Sequence, residues 1–88
     1  MTVDVGADVT QIAISLRGDL VYSQSARVGA TGTGTDILEA VVLAQHRAGA
    51  DLAAALAKGG IVLRSVAPIA GLDASLRERT GLPVRIAR

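Results

Sequence analysis

Thr2-Val3-Asp4-Val5-Gly6-Ala7-Asp8-Val9-Thr10-Gln11-Ile12-Ala13-Ile14-Ser15 is the stretch on which the fold turns. It opens as a short apolar strand, is broken at Gly6, and resumes almost at once as a second strand. In that second strand Ile12, Ile14 and Leu16 recur at period two, with Gln11 and Ser15 on the opposite face. Asp4 thus sits at the end of a strand beside a glycine turn. That is a position from which a carboxylate can hold a metal ion or a nucleotide phosphate.

The 88 residues make a single domain, 1–88. A chain of this size buries roughly 60–65% of its unfolded surface, enough for a modest core. Half of the residues are apolar, yet Phe and Trp are absent and Tyr22 is the only aromatic. The core must therefore be Val, Ile, Leu and Ala. A net charge of +1 supplies no strong field for nucleic acid or anionic lipid. From Ile61 onward five Arg face only Asp73 and Glu78, while the first sixty residues carry a surplus of acid. That mildly basic end reads as a solvated face. The absence of cysteine excludes disulfides, thiolate chemistry and cysteine-held metals. The N-terminus lacks the pattern of a signal peptide, and no apolar run approaches the roughly 20 residues of a membrane span. The expectation is a soluble cytoplasmic protein with no integral membrane segment.

Outward from the opening stretch, Arg17-Gly18-Asp19 closes a hairpin, with Gly18-Asp19 read as the residues suited to a positive φ. Leu20 to Val28 is then a third strand. Residues 29–35 form a glycine-rich loop without the Lys or the spacing of a P-loop, so it reads as a linker. Asp36 and Glu39 have capping-box spacing at the head of a helix that stops at Gly49. His46 reads as a solvated residue of that helix. Asp51 caps a short Ala-rich helix, Leu52 to Lys58. Ile61-Val62-Leu63 is an apolar strand expected to be covered on both faces. After a connection over residues 64–70, a helix carries Leu72 and Leu76 on one face and ends at Thr80-Gly81-Leu82-Pro83. Val84 to Ala87 is the last strand. The order is βββα(α)βαβ, which predicts an α/β fold with a mixed five-stranded sheet of ribonuclease-H-like type.

Three stretches carry a family resemblance. Asp4-Val5-Gly6-Ala7-Asp8-Val9-Thr10, with Gly18 and Arg27-Val28-Gly29, is the first. Glu39-Ala40-Val41-Val42 is the second. The third combines Gly60-Ile61-Val62-Leu63, Ala70-Gly71-Leu72-Asp73 and Thr80-Gly81-Leu82-Pro83-Val84. Together they resemble one half of the actin-fold ATPases, and within them the MreB family of bacterial actin homologues. The resemblance implies an actin-fold subdomain and a nucleotide half-site. In that half-site Asp4 acts through Mg²⁺, Gly6 and Thr10 meet phosphate, and Gly71 and Asp73 lie near the nucleoside of Mg·ATP.

The departures point away from catalysis. Ala7 stiffens the phosphate turn, and Val9 removes a hydroxyl. Asp8 would set a carboxylate against a polyphosphate at a cost of about 4 kcal/mol per like-charge pair. Arg64-Ser65-Val66-Ala67-Pro68 stands where the family has Gly-Gly-Gly against adenosine, and Leu38 where it has an acid. The residues of the other half of the fold are not in this sequence. The reading that follows is a truncated module that does not hydrolyse ATP. It would act by associating with a second copy or with an MreB-like, shape-determining partner. The half-site completed by a partner subunit is the alternative. A metal-dependent nuclease built on Asp4, Asp8 and either Glu39 or Asp73 is a third reading, and it lacks the basic stripe that nucleic acid requires.

Overall fold

The computed structural model describes residues 1–29, 34–67 and 69–87. Alternation of side chains decides which way each strand faces. Strands β1 (Thr2–Val5), β2 (Thr10–Leu16), β3 (Asp19–Ala26), β4 (Ile61–Ser65) and β5 (Val84–Ile86) form one sheet, in the order β3-β2-β1-β4-β5. The β1–β2 and β2–β3 pairs are antiparallel; β1–β4 and β4–β5 are parallel. The sheet is mixed and five-stranded, as the element order predicts.

Register places Val3 beside Ile12 on one side and Leu63 on the other, and all three are buried. Asp4, one residue on, lies beside Gln11 and Arg64, so these three share the opposite face. Helices α1 (Gly34–Gly59) and α2 (Leu72–Thr80) both cover the apolar face. Ile37, Val41, Ala44, Leu56, Leu72 and Leu76 complete one core with the strand residues. Each buried Val, Ile or Leu among them contributes about 1.5–3 kcal/mol. The other face is polar and open at Asp4, Gln11, Ser23, Ser25, Arg64 and Arg85. The expectation that Ile61-Val62-Leu63 is covered on both faces is therefore corrected. Ile61 and Leu63 are buried, but Val62 is half-buried, because both described helices lie on one side.

Three local details refine the sequence reading. Helix α1 is interrupted at Gly49 (φ 74°, ψ −177°), where the stop was expected, and resumes to Gly59 as the second short helix. It is already helical at Gly34, so Asp36 lies inside the first turn instead of capping it. A carboxylate there still offsets the positive end of the helix dipole, which is why cap and first turn read alike in sequence. In the β2–β3 turn the left-handed residues are Arg17 (φ 55°) and Gly18 (φ 84°), with Asp19 already paired to Leu16. That is a two-residue turn with both central φ positive, and the strands resume one residue earlier than expected. The expected glycine-rich linker falls largely on residues 30–33, outside the described residues, as do Pro68 and Arg88.

The end of α2 follows its signals. Gly81 is left-handed (φ 71°, ψ 9°) and its N–H donates to Arg77 O at 2.9 Å; Leu82 folds back into the core. Gln45 Nε2 of α1 donates to Thr80 O at 2.9 Å, tying the two helices together. Between α1 and β4, Gly60 (φ 66°) brings Ile61 N–H to Pro83 O at 2.8 Å. A Cβ on Gly60 would lie 2.5 Å from that same oxygen. Among the described residues no helix is long and apolar enough to cross a membrane.

Candidate nucleotide half-site

Ligands of open α/β sheets gather beyond the carboxyl ends of the parallel strands. At that edge β1 ends in Val5-Gly6 and β4 in Ser65-Val66, with Val5 and Ser65 in register. Two shallow depressions meet there. One, of ≈ 430 Å³, is lined by Asp4, Gly6, Ala7, Asp8, Val9 and Gln11. The other, of ≈ 260 Å³, is lined by Asp4, Val5, Gly6, Arg64, Ser65 and Val66. Asp4 and Gly6 belong to both, so the structure brings together the two residues at the heart of the expected phosphate turn.

The turn itself is closed inward. Gly6 N–H donates to Val9 O at 2.8 Å. A Cβ on Gly6 would stand 2.9 Å from that oxygen. Gly29, buried after β3, backs the turn so tightly that a Cβ there would meet Ala7 O at 2.5 Å and Gly6 O at 2.6 Å. The exposed groups are Asp4, Ala7, Asp8 and Val9, the last 40% exposed; across the second depression Val66 is 70% exposed. Together the depressions present the carboxylates of Asp4 and Asp8, the Arg64 guanidinium, the Ser65 hydroxyl and the apolar side chains of Ala7, Val9 and Val66.

Thr10 is not brought to this surface. It is fully buried among the helix-facing residues, and its Oγ1 donates to Val28 O at 2.6 Å. The expectation that it contacts phosphate is therefore not supported by its placement. Its hydroxyl is spent tying the start of β2 to the end of the hairpin. Because side chains alternate, Thr10 and Asp4 cannot serve one ligand from the same face.

Asp73 lines a different cavity of ≈ 290 Å³ with Leu63, Ser65, Ile69, Leu72, Ile86 and Ala87. Its Oδ2 pairs with Arg77 Nη2 at 3.2 Å, one helical turn on in α2. Gly71, left-handed (φ 76°) ahead of α2, lines a neighbouring groove with Gly34, Thr35 and Ser75. Ser65 is the lining residue that connects the Asp73 cavity with the Asp4 depression. The residues expected to form one half-site thus line separate depressions, Asp4 and Gly6 in one group and Gly71 and Asp73 in another. Among the described residues no group of three or more His, Cys, Asp or Glu is placed to hold a metal. Asp4 is one exposed carboxylate, and Mg²⁺ carried by a nucleotide takes one or two such groups beside its waters and phosphates. Glu39 is exposed on α1, on the helix side of the sheet, away from Asp4.

Sequence reasoning missed Arg64 as Asp4's neighbour. It read Arg64 as the start of a connection, whereas β4 runs on to Ser65. The missed signal was the parallel register, which pairs Asp4 with Arg64 once Val3 faces Leu63. It also missed Gly29 as the backing of the turn, although Arg27-Val28-Gly29 was among the matching stretches.

No family model matches the chain, and no curated protein matches it by sequence. In structure it is similar to the ethanolamine utilization protein EutJ from Carboxydothermus hydrogenoformans, with a TM-score of 0.57 at 13% identity. The match covers 97% of this chain and 42% of EutJ, so the chain spans less than half the length of that protein. At this identity the likeness is one of fold. The fold is α/β, with the mixed five-stranded sheet of an actin-like subdomain.

Proposed function

We propose that this chain is a non-catalytic, MreB-like actin-fold module of the cytoplasm, whose work is association with other protein subunits in cell-shape or cytoskeletal assembly. The observation that carries the reading is the closed phosphate turn. Gly6 N–H, the donor that should face a phosphate, is bound to Val9 O, and Gly29 holds the turn from behind. The site offers Asp4, Asp8, Val9 and Val66 to the solvent, with Arg64 the one cation among its lining residues, a set poor in donors for a polyphosphate. The apolar side chains of Leu20 and Val21, exposed side by side on β3, suit a surface that another protein covers. The test is capture of an MreB-like bait by the purified chain, run beside an ATPase assay. The expected result is capture with no hydrolysis above buffer. Hydrolysis by the chain alone, or failure both to capture the bait and to self-associate, would count decisively against the module.

A second reading has one observation in its favour. Asp4, Gly6, Arg64 and Ser65 gather at the carboxyl ends of β1 and β4, with Asp73 reached through Ser65. On this reading the chain supplies half of a nucleotide site and a partner subunit supplies the rest, Mg·ATP being held only in the complex. Calorimetric titration of the partner-bound complex with Mg·ATP separates the two. Heat that is abolished by Asp4→Asn supports the half-site. The primary reading expects none at millimolar nucleotide.

A further inference from the structure

The two edges of the sheet are unlike. Strand β5 is three residues long and carries Arg85 at its centre. Strand β3 is eight residues long, and between Asp19 and Arg27 it holds no charge, no Pro and no Gly. Among the described residues no strand pairs with its outer side. Such edges are ordinarily blunted with Lys, Pro or short length, because a row of unpaired N–H and C=O groups templates another strand. The one such device in β3 is a bulge, where the pairing passes from Ile14–Tyr22 to Ser15–Leu20 and leaves Val21 out. Around that bulge Leu16, Leu20 and Val21 are exposed, Leu20 by 63%.

We propose that β3 is the docking edge for a second copy of this chain, paired antiparallel about a two-fold axis near Ser23 and Gln24. The proposal rests on the association reading above and names its surface. Charge selects both the occupant and its direction. The edge begins at Asp19 and is followed at its other end by Arg27, both exposed. A copy laid antiparallel brings each Asp19 against the partner's Arg27, twice by symmetry, with Arg17 in the turn beyond the paired residues. A parallel copy would set like charge on like. Residues Tyr22 to Ala26, beyond the bulge, are the regular part of the edge. There Tyr22 and Gln24 share one face, joined by a 2.5 Å hydrogen bond from Tyr22 Oη to Gln24 Oε1. Ser23 and Ser25 share the other. Antiparallel pairing about this centre sets polar residues against polar ones and brings Leu20 and Val21 beside the second copy's Ala26 position, where their exposed area is reduced.

Sedimentation equilibrium of charge variants tests this. D19R and R27D each replace two attractive end contacts with two repulsive ones. Each alone is expected to self-associate at least about tenfold more weakly than the parent chain. An equimolar mixture of the two should form a heterodimer, because one copy is then basic at both ends of the edge and the other acidic at both. The double variant D19R/R27D should recover the homodimer. Recovery in the mixture separates a surface effect from misfolding, since an unfolded variant could not restore the pair. A parent dimer indifferent to all three variants would overturn the β3 edge while leaving the association reading intact. A parent chain that stays monomeric overturns the second-copy occupant. Capture of the MreB-like bait then decides separately whether the association reading survives.

Discussion

At the scale of single residues, the fold depends on a few positions where a side chain has no room. Gly60 combines a left-handed φ of 66° with Pro83 O at 2.5 Å from the place a Cβ would take. Gly60→Ala is expected to cost about 2–3 kcal/mol in urea unfolding, from backbone strain and overlap together. Gly29→Ala presses on backbone atoms of Ala7 and Gly6 and should likewise lower the urea midpoint, with the Gly6–Ala7 amides losing hydrogen-exchange protection. Arg17 is the opposite case. It is the one non-glycine residue with positive φ among the described residues, in an otherwise well-formed turn. Arg17→Asn should raise stability by about 0.5–1 kcal/mol, read as a rise of a few degrees in the melting midpoint. Gly18, Gly49 and Gly81 were legible as breaks because nothing else explains a glycine between patterned segments. Arg17 was not, since its conformation is imposed by the two-residue loop that the pairing of Leu16 with Asp19 requires.

At the scale of elements, the order of strands and helices was readable because each apolar pattern is interrupted by glycine or proline. What could not be read was how far β4 extends. Its last residues, Arg64 and Ser65, are polar, and only pairing with Asp4 and Val5 shows that they are strand. The consequence reaches the candidate site, because it is the extension of β4 that puts Arg64 beside Asp4. Helix packing carries its own prediction. Gln45→Ala removes the donor to Thr80 O at the end of α2 and should destabilise the chain by about 1 kcal/mol. The N-terminus adds a pH dependence. Met1 N donates to Gly60 O at 2.8 Å, and partial burial lowers the pKa of its ammonium below the ordinary 8.0. In the window between the lowered value and 8.0 the unfolded chain binds more protons than the folded one, so stability rises with pH there. The penalty of burying the charge is complete below that window and gone above it. The urea midpoint of the chain should therefore rise from about pH 6 to about pH 9 more than that of the N-acetylated chain, which has no such charge.

At the scale of the whole molecule, one sheet face is packed by two helices and the other is polar, while the long edge at β3 is uncovered among the described residues. The matched stretches placed Asp4 and Gly6 correctly at one sheet edge. They could not show that the turn closes on itself, because Gly6 N–H to Val9 O is a backbone bond that depends on the path of the chain and on Gly29 behind it. Nor could they show that Thr10 turns inward, although period two already separates it from the face of Asp4. On the proposed reading, the arrangement keeps the frame of an actin-like subdomain and offers its surfaces to protein. Sedimentation equilibrium of the purified chain to high micromolar concentration, with and without Mg·ATP, tests that claim most directly. The expected result is a discrete oligomer whose distribution Mg·ATP leaves unchanged; assembly that appears only with Mg·ATP, or a monomer throughout that also fails to capture the MreB-like bait, would contradict it.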